Sequence, residues 1–203
     1  MSNKETNRDT WNRHYLRDKS RLGVPDENVV RFIHHFFRNN PEITTPAILE
    51  IGSGSGRNIA YLRSITPNVY GMDFAQNALK GQEKVVCARS DENPFEDRAL
   101  DIVIAWGVLH YLDAGQVEKT LREVRRILKP SGIFFGTIRS DQDTHLQGVL
   151  QTGDLKDGTA RLYSPGEALG LFKDFRQTRL GFISRRQPGE DTTVAHHIFE
   201  ASV

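Results

Sequence analysis

Residues 47–58 read AILEIGSGSGRN. A short apolar run, 47–51, stops at a turn in which Gly52, Gly54 and Gly56 alternate with Ser53 and Ser55. A run of that length bounded by glycine predicts a buried strand. Small residues after a strand let the backbone approach a ligand closely. The N–H groups at the start of the next helix can then face its polar or anionic groups. A lone G-x-G-x-G is also consistent with a plain tight turn, so the surrounding sequence has to decide.

Outward from the turn the chain alternates. RNIAYLRSI (57–65) predicts a helix, NVYGMD (68–73) a second strand, FAQNALKGQ (74–82) a second helix and KVVCA (84–88) a third strand. LDIVIAW (100–106) is nearly continuous in apolar residues, as a strand covered on both faces should be. Val117, Leu121, Val124 and Leu128 form a helical stripe, with Asp113 and Gln116 marking its start and Pro130 and Gly132 its end. IFFGTIR (133–139) is a fifth strand. Ahead of the turn, Val29, Phe32, Ile33, Phe36 and Phe37 mark one face of a helix ended by Asn39, Asn40 and Pro41.

Strands alternating with helices imply a parallel sheet with right-handed crossovers. The rhythm changes after residue 139. Residues 140–163 lack periodicity and read as a long connection, and SPGEALGLFKDF (164–175) as a helix begun by Ser164 and Pro165. RQTRLGFIS (176–184) and TTVAHHIFEAS (192–202) read as two strands whose linker, RRQPGED, is too short for a helical crossover, so they are antiparallel. The expectation is an α/β, Rossmann-like, seven-stranded, mostly parallel sheet with one reversed strand near its edge. A single domain spans 1–203. It has an N-terminal helical cap or lid (1–40, its first ten residues poorly ordered), a cofactor-binding core (47–139), and a substrate-side insertion with the antiparallel strands (140–203).

Bulk properties narrow the function. A chain of 203 residues, 37% hydrophobic and 26% charged, suits one soluble globular domain. A net charge of +1 gives no electrostatic case for nucleic acid or an acidic membrane. The single cysteine, Cys87, can build neither an internal disulfide nor a cysteine metal cluster. No apolar run is long enough to span a bilayer, and the polar start MSNKETNRDTWNRHY has no signal-like core. A cytoplasmic monomer or homodimer is the expectation.

Asp73 ends the second strand, 17 residues after Gly56. A carboxylate there can accept both hydroxyls of a ribose, and it can also cap the helix that follows. Two features favour S-adenosylmethionine over a dinucleotide. The spacing lacks the G-x-G-x-x-G of a pyrophosphate turn. Glu50, two residues before Gly52, would repel a pyrophosphate but suits an amino group and a sulfonium. An NAD-type oxidoreductase is the weaker alternative, and a non-catalytic cofactor-binding partner subunit is another.

LEIGSGSGRN, VYGMDFAQNAL, NPFEDRALDIVIAWGVLHYL, LREVRRILKPSGIFFGTI and YSPGEALGLF, in this order, make the chain resemble a class I S-adenosylmethionine-dependent methyltransferase of the small, single-domain type 11 group. The resemblance implies the strand order 3-2-1-4-5-7-6 with strand 7 antiparallel. It implies S-adenosyl-L-methionine as cofactor, met by Glu50, Gly52, Ser53, Gly54, Gly56 and Asn58, with Asp73 on the ribose hydroxyls and Phe74 beside the adenine. Arg89 stands where the family most often has an acid for the adenine amino group; Asp91 and Glu92 are the nearest acids, and Asp91 is the candidate. Trp106 ends the fourth strand, where the acceptor site opens.

His110 is the candidate base and Tyr111 a candidate acceptor contact, both also consistent with packing. Trp11, His14 and Tyr15 are lid candidates that could equally cap the core. Members of the family the chain resembles that methylate exocyclic base amines or glutamine amides usually carry a [DN]-P-P-[YF] tetrapeptide after the fourth strand; none stands here, so the resemblance implies a different substrate class. A small-molecule acceptor at oxygen or nitrogen is expected instead. Asp141, Asp143 and His145 read as solvated polar residues, so no metal is expected. Arg122, Arg125, Arg126 and Lys129 suit a helix C-terminus and are not read as an RNA patch. Alternation puts one of His196 and His197 inside and the other outside.

Overall fold

In the computed structural model, which describes residues 3–146 and 160–203, the apolar run before the glycine turn becomes the central strand β1 (Ile48–Ile51). It pairs in parallel with β2 (Val69–Asp73) on one side and β4 (Leu100–Ala105) on the other. The short β3 (Val85–Cys87) adds to β2, and β5 (Leu128–Arg139) adds to β4. β7 (Val194–Ser202) runs antiparallel to β5 and carries β6 (Gln177–Arg185) on its far side. The order β3-β2-β1-β4-β5-β7-β6 is the one expected.

Period-two alternation splits the core into two layers. Leu49, Ile51, Val103, Ala105 and Phe134 face helix α4 (Ala114–Ile127) and Ala168 of helix α5 (Pro165–Leu171). Ile48, Ile102, Ile104 and Phe135 face α2 (Glu27–Asn39) and α3 (Arg57–Arg63). The α2 stripe Val29, Phe32, Ile33 and Phe36 is fully committed to that layer, and Phe32 stacks on Phe135 at 4.0 Å. Burial of such side chains contributes about 1.5–3 kcal/mol each. Caps hold the helix starts. Asp26 accepts from Asn28 N–H, and Asp113 with Gln116 and Ser164 with Glu167 form capping boxes.

Three local expectations fail. Residues 74–82 are a run of turns, not a helix. Their N–H groups bond three residues back (Ala78 to Ala75, Leu79 to Gln76, Gln82 to Leu79), and the remaining polar groups are claimed from elsewhere. Asp73 Oδ1 takes Ala75 N–H, Asn12 Oδ1 takes Asn77 N–H, and Arg21 donates to the carbonyls of Asn77 and Lys80. The helix before β5 stops at Ile127, and β5 begins at Leu128, paired with Leu100 across a bulge. Residues 3–14, which overlap the first ten residues expected to be poorly ordered, form helix α1 (Asn3–His14). Its Thr10 is fully buried, and its Trp11 meets Tyr111 edge-on at 4.9 Å. Of the long connection over 140–163, residues 147–159 lie outside the described residues; the described ends meet at a bridge between Ser140 and Tyr163. Among the described residues no helix is long and apolar enough to cross a membrane.

Candidate functional site

The C-terminal ends of β1, β2, β4 and β5 open on one side of the sheet, and the glycine turn forms their rim. Gly52, Gly54 and Gly56 all have positive φ, a conformation an L side chain adopts only with strain. At Gly54 space is short as well: an added Cβ would lie 2.5 Å from the Tyr15 hydroxyl. Gly56, expected at the cofactor, does not line the cleft. It starts α3 with its missing side chain facing Gln82, which itself donates to the Gly54 carbonyl at 2.9 Å.

Two carboxylates flank the turn. Asp73 Oδ2 accepts the Gly54 N–H at 3.0 Å and Oδ1 the Ala75 N–H at 2.9 Å. Burial pushes its pKa up to about 6 despite those amides. Glu50, 2% exposed, accepts from Asn58 Nδ2 at 2.7 Å on Oε1, while Oε2 is buried with no partner. Burial pushes Glu50 up to about 8, against the Asn58 bond and Arg57. Asn58 also accepts the Asp26 N–H at 2.9 Å, so the expected Asn58 ties α2 to the acid. Ser53 Oγ is another buried atom without a partner.

The cleft has two adjoining hollows. The first runs from Gly52, Asp73 and Phe74 to Arg89, Ser90 and Asp91. Arg89 bonds Asp91 at 2.7 Å, so the arginine standing in the family's acidic position is paired with the candidate acid. Glu92 lies outside this wall, its side chain 72% exposed. The second hollow holds Glu50, Ser53, Gly54, Asn58, His14 and His110. Trp11, Tyr15, Gly52, Trp106 and Tyr111 border both. Trp106 is braced by Phe135 at 5.6 Å. Burial, then Asp73 and Glu50, raises the Tyr15 pKa, so its hydroxyl stays protonated.

The N-terminal segment is fastened over this rim. Arg21 donates to the carbonyls of Tyr15, Asn77 and Lys80, Asn12 accepts from the backbone and side-chain N–H groups of Asn77, and Ser55 Oγ donates to the Leu22 carbonyl. His110 is 1% exposed, touches the Tyr111 ring at 4.2 Å, and has a buried Nδ1 without a partner. Burial, then Arg139 and His196, holds its pKa well below the ordinary value, so the ring is neutral near pH 7.

Sequence reasoning missed Arg139 and His196 as wall residues of the second hollow. Arg139 Nη1 meets His196 Nε2 at 3.0 Å and Asp143 Oδ2 at 3.3 Å. Asp143 is fully buried, not solvated: it also takes the N–H groups of Leu146 and Ala195. His197 is the inward member of its pair, on the Tyr163 carbonyl at 2.9 Å. An arginine closing an apolar central strand was the available signal. The basic run over the end of α4 and the start of β5 is spent on ion pairs: Arg126 clasps Glu123 and Asp97, Lys129 binds Asp101, and Arg122 binds Glu118.

Residues 49–136 match the family model described as a methyltransferase domain. Phosphoethanolamine N-methyltransferase 1 of Triticum aestivum is 31% identical over 107 residues, 47% of this chain and 22% of that protein. The mitochondrial arginine-hydroxylase NDUFAF5 of Homo sapiens is 31% identical over 100 residues, 46% of this chain and 28% of that protein. The chain thus spans less than a third of the length of both. Magnesium protoporphyrin IX methyltransferase (ChlM) from Synechocystis PCC 6803, solved with bound SAM, has a similar fold: TM-score 0.70, 13% identity, 100% of this chain and 97% of that one. A SAM-dependent methyltransferase from Archaeoglobus fulgidus matches with TM-score 0.63 at 13% identity, over 85% of this chain and 94% of that one. Over residues 49–136 the chain is thus similar to the methyltransferase-domain family, and its seven-stranded sheet and glycine turn share the fold of these solved methyltransferases.

Proposed function

We propose that the protein is a cytoplasmic methyltransferase that uses S-adenosylmethionine to methylate a small molecule at oxygen or nitrogen. The observation that carries the reading is the pair of buried acids flanking the glycine turn, with Glu50 Oε2 left without a partner. A buried carboxyl oxygen in that state is costly unless a ligand donates to it. The amino group of the donor's methionine part suits it; a pyrophosphate does not. That contrast also weighs against an NAD-type oxidoreductase.

When bound, the cofactor supplies an electrophilic methyl group on a sulfonium. The chain's own work is binding and positioning. Asp73 keeps lone pairs beyond the two amides it accepts, and these suit the ribose hydroxyls. Phe74, Ser90 and Asp91 suit the adenine end. Trp11, Tyr15, Trp106 and Tyr111 form an aromatic neck that excludes water between donor and acceptor. His110, held neutral, acts as a hydrogen-bonding group toward the acceptor; its low basicity makes it a weak proton acceptor.

Calorimetry with S-adenosylhomocysteine and with NAD tests the cofactor, and labelled donor with an acceptor panel tests turnover. Binding of NAD in place of S-adenosylhomocysteine would overturn the reading. Tight donor binding with no transfer to any acceptor would favour a partner subunit that does not catalyse. Donor affinity should survive His110→Ala, leaving turnover as the measure of that residue.

A further inference from the structure

The second hollow, about 940 Å³, has the size of a small-molecule site and a polar floor that the donor does not explain. Its floor is the end of β5. Thr137 and Arg139 stand two residues apart on one face of that strand, both buried, and the Thr137 hydroxyl takes the Gly107 N–H at 3.0 Å, beside the aromatic neck. Arg139 therefore lies on the order of 7 Å beyond the neck.

Arg139 is 7% exposed and under-satisfied. A guanidinium presents five N–H donors. Among the described residues only Nη1 has partners, His196 and Asp143, and Nε is buried with none. Asp143 makes a weak counter-ion. Its contact is a single one at 3.3 Å, and its two oxygens already accept the amides of Leu146 at 2.7 Å and Ala195 at 2.8 Å. The histidines beside Arg139 bring no charge of their own: burial holds His196 down at about 4 and His110 well below its ordinary value. Arg185 stands exposed at the mouth of the same hollow. A largely buried cation with spare donors, lining a hollow that a ligand can enter, is a receptor for a planar or tetrahedral anion.

We infer that the acceptor carries an anionic group, a carboxylate or a phosphate, received by Arg139 at the floor of the second hollow, which leaves its methyl-receiving atom at the aromatic neck. This rests on the methyltransferase reading above. The anion fills the open side of the Arg139 fork, and the rest of the acceptor spans the distance back to Trp106 and Tyr111.

The test is calorimetry on the full chain, with and without saturating S-adenosylhomocysteine, using benzoate, phenyl phosphate and the uncharged benzamide as probes. At least one anion should bind about tenfold tighter than benzamide, the worth of one charge-assisted hydrogen bond. Arg139→Gln combined with Asp143→Asn, which leaves no buried carboxylate unpaired, should remove that preference while the S-adenosylhomocysteine affinity holds. Arg139→Lys, which keeps the charge but not the fork, should weaken the anion by at least about threefold and serves if the double variant does not fold. The inference is overturned if benzamide binds as well as both anions, or if the variants keep the anion preference. Failure of the wild type to bind S-adenosylhomocysteine would instead sink the donor reading, and the acceptor assignment with it.

Discussion

Glu50→Gln should make the ligand-free protein more stable at neutral pH and a poorer binder of the donor. The Glu50 carboxyl is pushed up by burial from 4.5 to about 8. An acid whose folded pKa is raised holds its proton in the native state after the unfolded chain has lost it. Stability therefore falls as pH rises from about 4.5, and the loss levels off near pH 8. Each pKa unit is worth about 1.36 kcal/mol, so the penalty is below about 1 kcal/mol at pH 5 and about 4 kcal/mol at pH 8. Glutamine keeps the Asn58 bond on its carbonyl and never charges. For a chain of this size 1 kcal/mol moves Tm by about 2–4 °C. The variant's Tm advantage over wild type should thus grow by roughly 6–12 °C between pH 5 and pH 8, measured by thermal melts without ligand. Its affinity for S-adenosylhomocysteine should fall about tenfold or more, because the donor's amino group loses a charged partner. A Tm difference that stays flat across this range would refute the reasoning, since it would mean that the charge on Oε2 is met by solvent.

Other perturbations probe the rest of the site. Asp73→Ala should weaken S-adenosylhomocysteine binding by at least about tenfold in calorimetry, and an unchanged affinity would remove Asp73 from the cofactor site. Gly54→Ala combines a φ of +54° with a Cβ 2.5 Å from the Tyr15 hydroxyl. It should cost about 1–2 kcal/mol in denaturant melts, part of it recovered by adding Tyr15→Phe. Arg21→Ala unties the carbonyls of Tyr15, Asn77 and Lys80. Hydrogen exchange should accelerate over residues 10–20 while the sheet amides stay protected; unchanged exchange there would show that Arg21 does not hold the segment.

What the sequence disclosed follows the range of the interactions involved. β1 and β4 were readable because their apolar runs are continuous, as burial on both faces demands. The β6–β7 hairpin was readable because its linker is too short for any other connection. Residues 74–82 misled because their helical propensity is local. The groups that divert their backbone, Asn12 and Arg21, sit more than fifty residues upstream. The Arg139–His196 contact arises from the β5–β7 register, which places those two residues opposite one another. Reading it from the sequence would have required the pairing of the two strands residue by residue. Of the groups expected around the turn, the structure brings Glu50, Gly52, Ser53, Gly54, Asn58 and Asp73 to the cleft and leaves Gly56 outside its lining. Sequence reasoning was blind to the wall assembled from β5 and β7.

That division bears on how the two ends of the cleft work together. Glu50 and Asp73 lie at the ends of β1 and β2, and Arg139 lies at the end of β5, with the aromatic neck between them. The acids are raised by burial, and the guanidinium is under-satisfied, so both sides carry polar groups that the fold alone does not compensate. Such groups destabilise the chain and are matched only by ligands of opposite charge. On the proposed reading, a donor with a cationic methionine end turns toward the acids, and an acceptor with an anionic end turns toward Arg139. Each molecule is oriented by its own charge, and their reacting atoms meet at Trp106 and Tyr111, where water is excluded. Positioning by opposed charges suits methyl transfer, an in-line displacement in which alignment is most of what the protein has to provide. It also accounts for a site that needs no strongly basic residue at the neck, consistent with the neutral, weakly basic His110 found beside it.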